Sequence, residues 1–237
     1  VLPDGLSAVL VADVSGKGLS AAVQTASVKY SLRAFAAEAA APALVIRRLN
    51  LILSRESSGL GEHFVTLFYA VYDPATGRFA YVSAGHETQV LVRASGGVVE
   101  LKATGPILGI TEFDYEQSVE YLEPEDAVVL FTDGLTEARN SRQELFELER
   151  VQALLESLAD DLDPVIVVSH LVTAAITWAE GKPQDDLALM VVQRELRRDA
   201  PPPPRAEVVQ ADISELGELL FDFTFQSMPD YAAEVRQ

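Results

Sequence analysis

The sequence predicts an α+β chain, a four-layer α-β-β-α sandwich of two mainly antiparallel sheets flanked by helices. Two observations lead there. Strand-like runs crowd the middle of the chain and are joined by short turns, which favours antiparallel pairing over a doubly wound parallel sheet. Two helical patterns precede this block and two follow it, giving the order β, two helices, many strands, two helices, β. Helices at both ends can cover both outer faces of two stacked sheets.

Pro3-Asp4-Gly5 is a turn that feeds a strand over 7–12. The turn Ser15-Gly16-Lys17-Gly18 leads into an alanine-rich helix from Leu19. Its apolar face reads as Leu19, Val23, Ala26 and Tyr30, with Val28, Leu32 and Phe35 beside it. Pro42 starts a second helix with Leu49, Ile52 and Leu53 as its stripe, broken by Ser57-Ser58-Gly59-Leu60-Gly61. A long strand over 64–72, a hairpin loop at Asp73-Pro74-Ala75-Thr76-Gly77 and a return over 78–83 follow. Further strands are expected over 88–93, 97–101, 117–122 and 127–131. One later helix carries Leu148, Val151, Leu155 and Leu158. The next is capped by Asp163 with Pro164 in its first turn and buries Val168, Leu171, Val172 and Ile176. A strand over 187–192 closes the order.

Residues 1–195 read as one domain. Pro201-Pro202-Pro203-Pro204 mark a stiff linker over 196–206. Residues 207–237 read as a docking tail or the start of a truncated further domain, since about 30 residues cannot bury a core of their own. The chain opens on Val1 at the lip of a turn and reads as an internal piece of a longer protein, with something missing before it.

Composition narrows the chemistry. Hydrophobic residues make up 49% of the 237, enough for a sizeable core. There is no cysteine, which excludes disulfide and thiolate chemistry and fits a cytoplasmic setting. His63, His86 and His170 form no pair with helical metal-ligand spacing, so zinc is disfavoured. A net charge of −18 argues against nucleic acid or an anionic membrane as partner and favours a cation. No apolar run is long enough to insert in a membrane.

Three acids lie at strand ends: Asp13 and Asp133 at C-terminal ends, and Asp185, with Asp186, at the N-terminal end of the last strand. If that strand runs antiparallel to the others, all three reach one rim. Carboxylates converging without a basic partner suit a hard cation, Mg²⁺ or Mn²⁺. Gly16-Lys17-Gly18 is not a phosphate loop, because Val11 and Gly18 stand where glycine and a hydroxyl residue are needed. Lys17 reads as a surface charge or a phosphate-steering group. His86 reads as structural before proton shuttle.

The segments Ala12-Asp13-Val14-Ser15-Gly16-Lys17-Gly18, Phe64-Val65-Thr66-Leu67-Phe68-Tyr69 and Tyr81-Val82-Ser83-Ala84-Gly85-His86 belong to a larger pattern. It continues with Gly105-Pro106-Ile107-Leu108-Gly109, Phe131-Thr132-Asp133-Gly134-Leu135-Thr136-Glu137-Ala138 and Asp185-Asp186-Leu187-Ala188-Leu189. Together they resemble the SpoIIE-type, RsbU-like branch of the metal-dependent type 2C (PPM) serine/threonine protein phosphatases. The resemblance implies a sandwich fold and two Mn²⁺ or Mg²⁺ ions. By motif match Asp13 bridges both ions, the Val14 carbonyl ligates one, and Asp133 and Asp185 bind the ion nearer the catalytic water. Asp186, Lys17, Gly134 and His86 fall beside the site or face substrate. The implied reaction is direct attack of a metal-bound hydroxide on phosphoserine or phosphothreonine. The implied substrate is a phosphorylated STAS-type anti-sigma-factor antagonist.

Two departures stand out. The family's Gly-Gly-Asp segment would lie upstream of Val1. That keeps open a pseudophosphatase, a binding and signal-output module without turnover. Glu87-Thr88-Gln89 replaces the usual Asn-Pro-Pro, a loop variation at the substrate-facing edge. A helical stripe could also form a homodimer face.

Overall fold

The computed structural model describes residues 1–2, 5–60, 64–159, 161–181 and 185–195. His63, the expected linker over 196–206 and the tail over 207–237 lie outside the described residues.

The chain forms β1 (Ser7–Val14), α1 (Leu19–Glu38), α2 (Pro42–Leu60), β2 (Val65–Asp73), β3 (Arg78–Ala84), β4 (Gln89–Val92) and β5 (Val98–Leu101). It continues with β6 (Ser118–Tyr121), β7 (Ala127–Phe131), α3 (Asp133–Thr136), α4 (Glu147–Ser157), α5 (Pro164–Trp178) and β8 (Leu189–Gln193). Two four-stranded sheets result, ordered β1-β2-β3-β6 and β5-β4-β7-β8, and every pairing is antiparallel. Alternating side chains fill the space between them. Val9, Val11, Phe68, Phe79 and Tyr81 of the first sheet meet Leu91, Leu101, Val128 and Leu130 of the second. The outer face of the first sheet is covered by Val28, Leu32, Val45, Ile46 and Leu49 of α1 and α2. The outer face of the second is covered by Val151, Leu155, Val167, Val168 and Leu171 of α4 and α5. The predicted four layers are therefore present, and each burial step removes apolar surface from water.

Several boundaries and faces differ from expectation. β1 extends through Asp13 to Val14, because Asp13 pairs with Thr66 and Val14 with Val65. α2 continues through Ser57 and Ser58 to Leu60. On α1 the expected apolar face points outward: Leu19 is 82%, Val23 60% and Tyr30 67% exposed. The buried stripe is Ala21, Thr25, Val28, Leu32 and Ala36. On α5, Val167, Val168, Leu171 and Ala175 are buried, while Ile176 lies off that face. The Asp163 cap is as expected, its carboxylate accepting from the Val165 amide at 2.9 Å. Among the described residues no helix is long and apolar enough to cross a membrane.

At one rim a partly buried ion pair clamps the two sheets. Arg93, just after β4, donates to Asp126 at 2.8 Å, to Glu120 at 3.0 Å and to the Tyr121 carbonyl at 2.6 Å. Asp126 opens β7 from the end opposite to Asp133, and it also accepts the Ala94 and Glu123 amides, each at 2.9 Å. Arg194 adds hydrogen bonds to Asp126 and Leu122 carbonyls on the same side.

Candidate metal centre

The opposite rim gathers the acids. β7 and β8 are antiparallel, with Phe131 opposite Leu189. Asp133 follows the end of β7 and Asp185-Asp186 precede the start of β8, so both reach the same edge of the second sheet. Asp13, near the end of β1, brings its carboxylate from the first sheet. Gly16 and Gly18, both with positive φ (100° and 81°), turn the chain away immediately afterwards and leave Asp13 exposed on the rim.

The chain's own hydrogen bonds hold Asp185 and Asp186 there. The Thr132 amide donates to the Ala188 carbonyl at 3.1 Å, and the Ala188 amide donates to the Thr132 hydroxyl at 3.1 Å. That hydroxyl donates in turn to the Asp186 carbonyl at 3.2 Å. These bonds bend residues 185–188 around α3, which is why β8 begins at Leu189 and not at Leu187. The Asp185 carboxylate accepts the Asp186 amide at 2.8 Å and shapes the bend. Gly134 lies directly against this segment, where a Cβ would run into the Asp186 carbonyl. Gly134→Ala should therefore push residues 185–188 off α3. It should cost about 1–3 kcal/mol and weaken Mn²⁺ binding by more than about tenfold, read by urea unfolding and calorimetry.

Electrostatics show that the acids sense one another. Partial burial raises the Asp133 carboxyl to about 6, and the charges of Asp13, Asp185, Glu137 and Glu87 add to it. Although the residue reaches solvent, neighbouring atoms partly desolvate the Asp13 carboxyl and raise it above the usual carboxylate range, Asp185 and Asp186 add to this, and a hydrogen bond from the Val14 amide lowers it. Among the described residues, no ion pair joins Asp13, Asp133, Asp185 or Asp186 to a basic side chain. Lys17 is exposed in the glycine turn and offsets none of this charge through an ion pair. The donors are all oxygen, which suits a hard divalent cation. Among the described residues, no three acidic or histidine side chains form a ready-made cluster around a single ion.

Asp133 carries a consequence for pH. Its folded pKa, about 6, lies above that of an unfolded aspartate. The metal-free fold is favoured by this group at low pH, and that contribution is lost as pH rises from about 4 to about 6. A cation held by Asp133 would have to displace the same proton. Mn²⁺ affinity should thus fall by up to about tenfold per unit below about pH 6, where an ordinary carboxylate would hold it level to about pH 4. Calorimetric titrations across that range check the sign.

The remaining expected residues fall around this core. Val14 ends β1, half-buried opposite Val65. His86 is buried below the rim and hydrogen-bonds to Thr66 and to the Phe131 carbonyl. Two residues of the substituted loop also belong here, although sequence reading treated them as loop variation. Glu87 accepts the Thr136 hydroxyl at 3.1 Å and raises the Asp133 carboxyl. Gln89 is fully buried and clasps Phe131, accepting its amide at 2.6 Å and donating to its carbonyl at 3.1 Å. The departure from Asn-Pro-Pro was the available signal.

Comparison with known proteins identifies the family. The chain is 29% identical over 190 residues to the phosphoserine phosphatase RsbU of Bacillus subtilis, covering 79% of this chain and 56% of that protein. The chain thus spans about half the length of that relative. Among solved structures, the RsbU and RsbW domains of Rv1364c from Mycobacterium tuberculosis match with a TM-score of 0.69 at 21% identity, over 81% of this chain and 54% of that one. The SiaA-PP2C domain of Pseudomonas aeruginosa matches with a TM-score of 0.66 at 18% identity, over 80% of each chain. These structures share the fold. The family model for Stage II sporulation protein E (SpoIIE) matches residues 3–195, and the chain belongs to that family.

Proposed function

We propose that this chain is a metal-dependent protein phosphatase that hydrolyses phosphoserine or phosphothreonine on a regulatory protein in bacterial signalling. The observation that carries the reading is the meeting of Asp13, Asp133 and Asp185 from two sheets at one rim. They repel one another there and, among the described residues, have no basic partner in an ion pair. An all-oxygen donor set suits Mn²⁺ or Mg²⁺, and we take two such ions to bind here. When bound, such ions polarise phosphoryl oxygens and lower the pKa of water.

The chain's own residues then take defined parts. Asp13 and the Val14 carbonyl, from the first sheet, and Asp133 and Asp185, from the edge of the second, would hold the ions. Asp133 would hold an ion only in its deprotonated form. Asp186 orients the bend through its backbone, and Gly134 lets that bend approach α3. Lys17 draws phosphate toward the rim, and His86 holds its ring in place without transferring a proton. Similarity to a phosphoserine phosphatase supports the substrate class. We take the substrate to be a phosphorylated STAS-type anti-sigma-factor antagonist, the setting to be the cytoplasm, and the upstream partner to be a sensor domain of the same protein. The test is phosphate release from a phosphoserine-bearing STAS protein with Mn²⁺ and with chelator. Release only with Mn²⁺ is expected; equal release in chelator would contradict the reading.

A further inference from the structure

We propose that His86 is a positioning residue, a strut between the two sheets that sets the separation of Asp13 and Asp133. The inference rests on the metal-dependent reading above and concerns how this fold holds its ligands in register.

The geometry is specific. Asp13 belongs to the first sheet, and Asp133 follows a strand of the second. Side-chain packing alone fixes the separation of two stacked sheets loosely compared with hydrogen-bonded pairing within a sheet. On this rim one imidazole reaches both. Its Nδ1 lies 3.0 Å from the hydroxyl of Thr66, the cross-strand partner of Asp13. Its Nε2 lies 3.2 Å from the carbonyl of Phe131, two residues before Asp133. A carbonyl can only accept, so Nε2 carries the proton and Nδ1 accepts from the Thr66 hydroxyl. This assignment follows from the partners and describes a neutral ring. The ring is 6% exposed, and burial pushes its pKa down to about 4, in keeping with neutrality at working pH.

The far end of the strut is itself anchored. Gln89 takes both backbone groups of Phe131, its side chain filling the place of a neighbouring strand. The carbonyl that His86 grips therefore cannot drift without breaking that clasp. His86 lies in the connection by which the chain passes from β3 in one sheet to β4 in the other, and Gln89 is the first residue of β4. The same crossing brings Glu87 to Thr136, whose hydroxyl also lies 3.3 Å from the Asp133 carbonyl. At the opposite rim the Arg93–Asp126 pair does comparable work, but no candidate ligand lies there.

A buried histidine that merely satisfies its own hydrogen bonds would affect stability alone. A strut affects ligand spacing, and groups that orient metal ligands typically change affinity by about 10- to 100-fold. The experiment is Mn²⁺ titration calorimetry on the full 237-residue chain and four variants, with folding followed by circular dichroism. Thr66→Val and His86→Phe should weaken Mn²⁺ binding by about tenfold or more. His86→Gln keeps a donor and an acceptor and should stay within about threefold of the parent. Asp126→Asn, at the other rim, should lower the melting temperature and leave Mn²⁺ affinity unchanged. If His86→Phe does not fold, Thr66→Val decides the matter. Parental affinity in the strut variants, or an equal loss in Asp126→Asn, overturns the proposal alone. Absence of Mn²⁺ binding by the parent chain overturns the metal-centre reading and this proposal with it.

Discussion

Asp133→Asn should abolish metal-dependent phosphate release and raise the melting temperature of the metal-free protein. The two effects share one cause. Asp133 is held in a partly buried place beside Asp13 and Asp185, where its charge is disfavoured and its pKa rises to about 6. Asparagine keeps the shape and removes the charge. The metal-free fold then gains on the order of 1 kcal/mol once solvent screening is allowed for, a rise of roughly 2–4 °C. On the proposed reading a cation would lose an anionic ligand, and turnover should drop by at least about 100-fold. Stability held below its optimum at a ligand cluster is the usual cost of a site built to meet a charge it does not itself supply. A lowered melting temperature in the metal-free variant would show that Asp133 is a structural acid.

The largest stability loss is expected at the other rim. Asp126 is 1% exposed and holds Arg93 and two backbone amides. Asp126→Ala leaves the Arg93 guanidinium with Glu120 and the Tyr121 carbonyl and strands both amides. Breaking a buried pair from one side costs about 3–5 kcal/mol. In a domain of this size that is a fall of roughly 10 °C or more. Urea unfolding gives the number, and a change below about 1 kcal/mol would mean that the sheets are held without this clamp.

The contrast between the rims explains what could be read in the sequence. The order of elements was legible because hairpins, caps and strand runs are local. Asp163 before Pro164 and Asp73 through Gly77 each announce themselves within five residues. The three acids were legible for the same reason, each sitting at the end of an apolar run. The buried face of α1 was not, because alanine and larger apolar residues lie on all sides of it, and only contact with α2 and β1 chooses among them. α3 escaped because a single turn carries no period. The start of β8 shifted because Thr132, over 50 residues away, takes hydrogen bonds that the strand would otherwise extend. Gln89 reaching Phe131 across 42 residues leaves no local pattern at all. Its one trace was the substitution of the loop that carries it.

The most direct test of the account is a Mn²⁺ titration of this chain beside Asp133→Asn, near neutral pH and in two buffers of different ionisation enthalpy. The account predicts saturable binding by the parent chain, proton release that grows as pH falls toward about 6, and loss of binding in the variant. Identical titrations for the two proteins would contradict it, because the acids at the rim would then hold no metal.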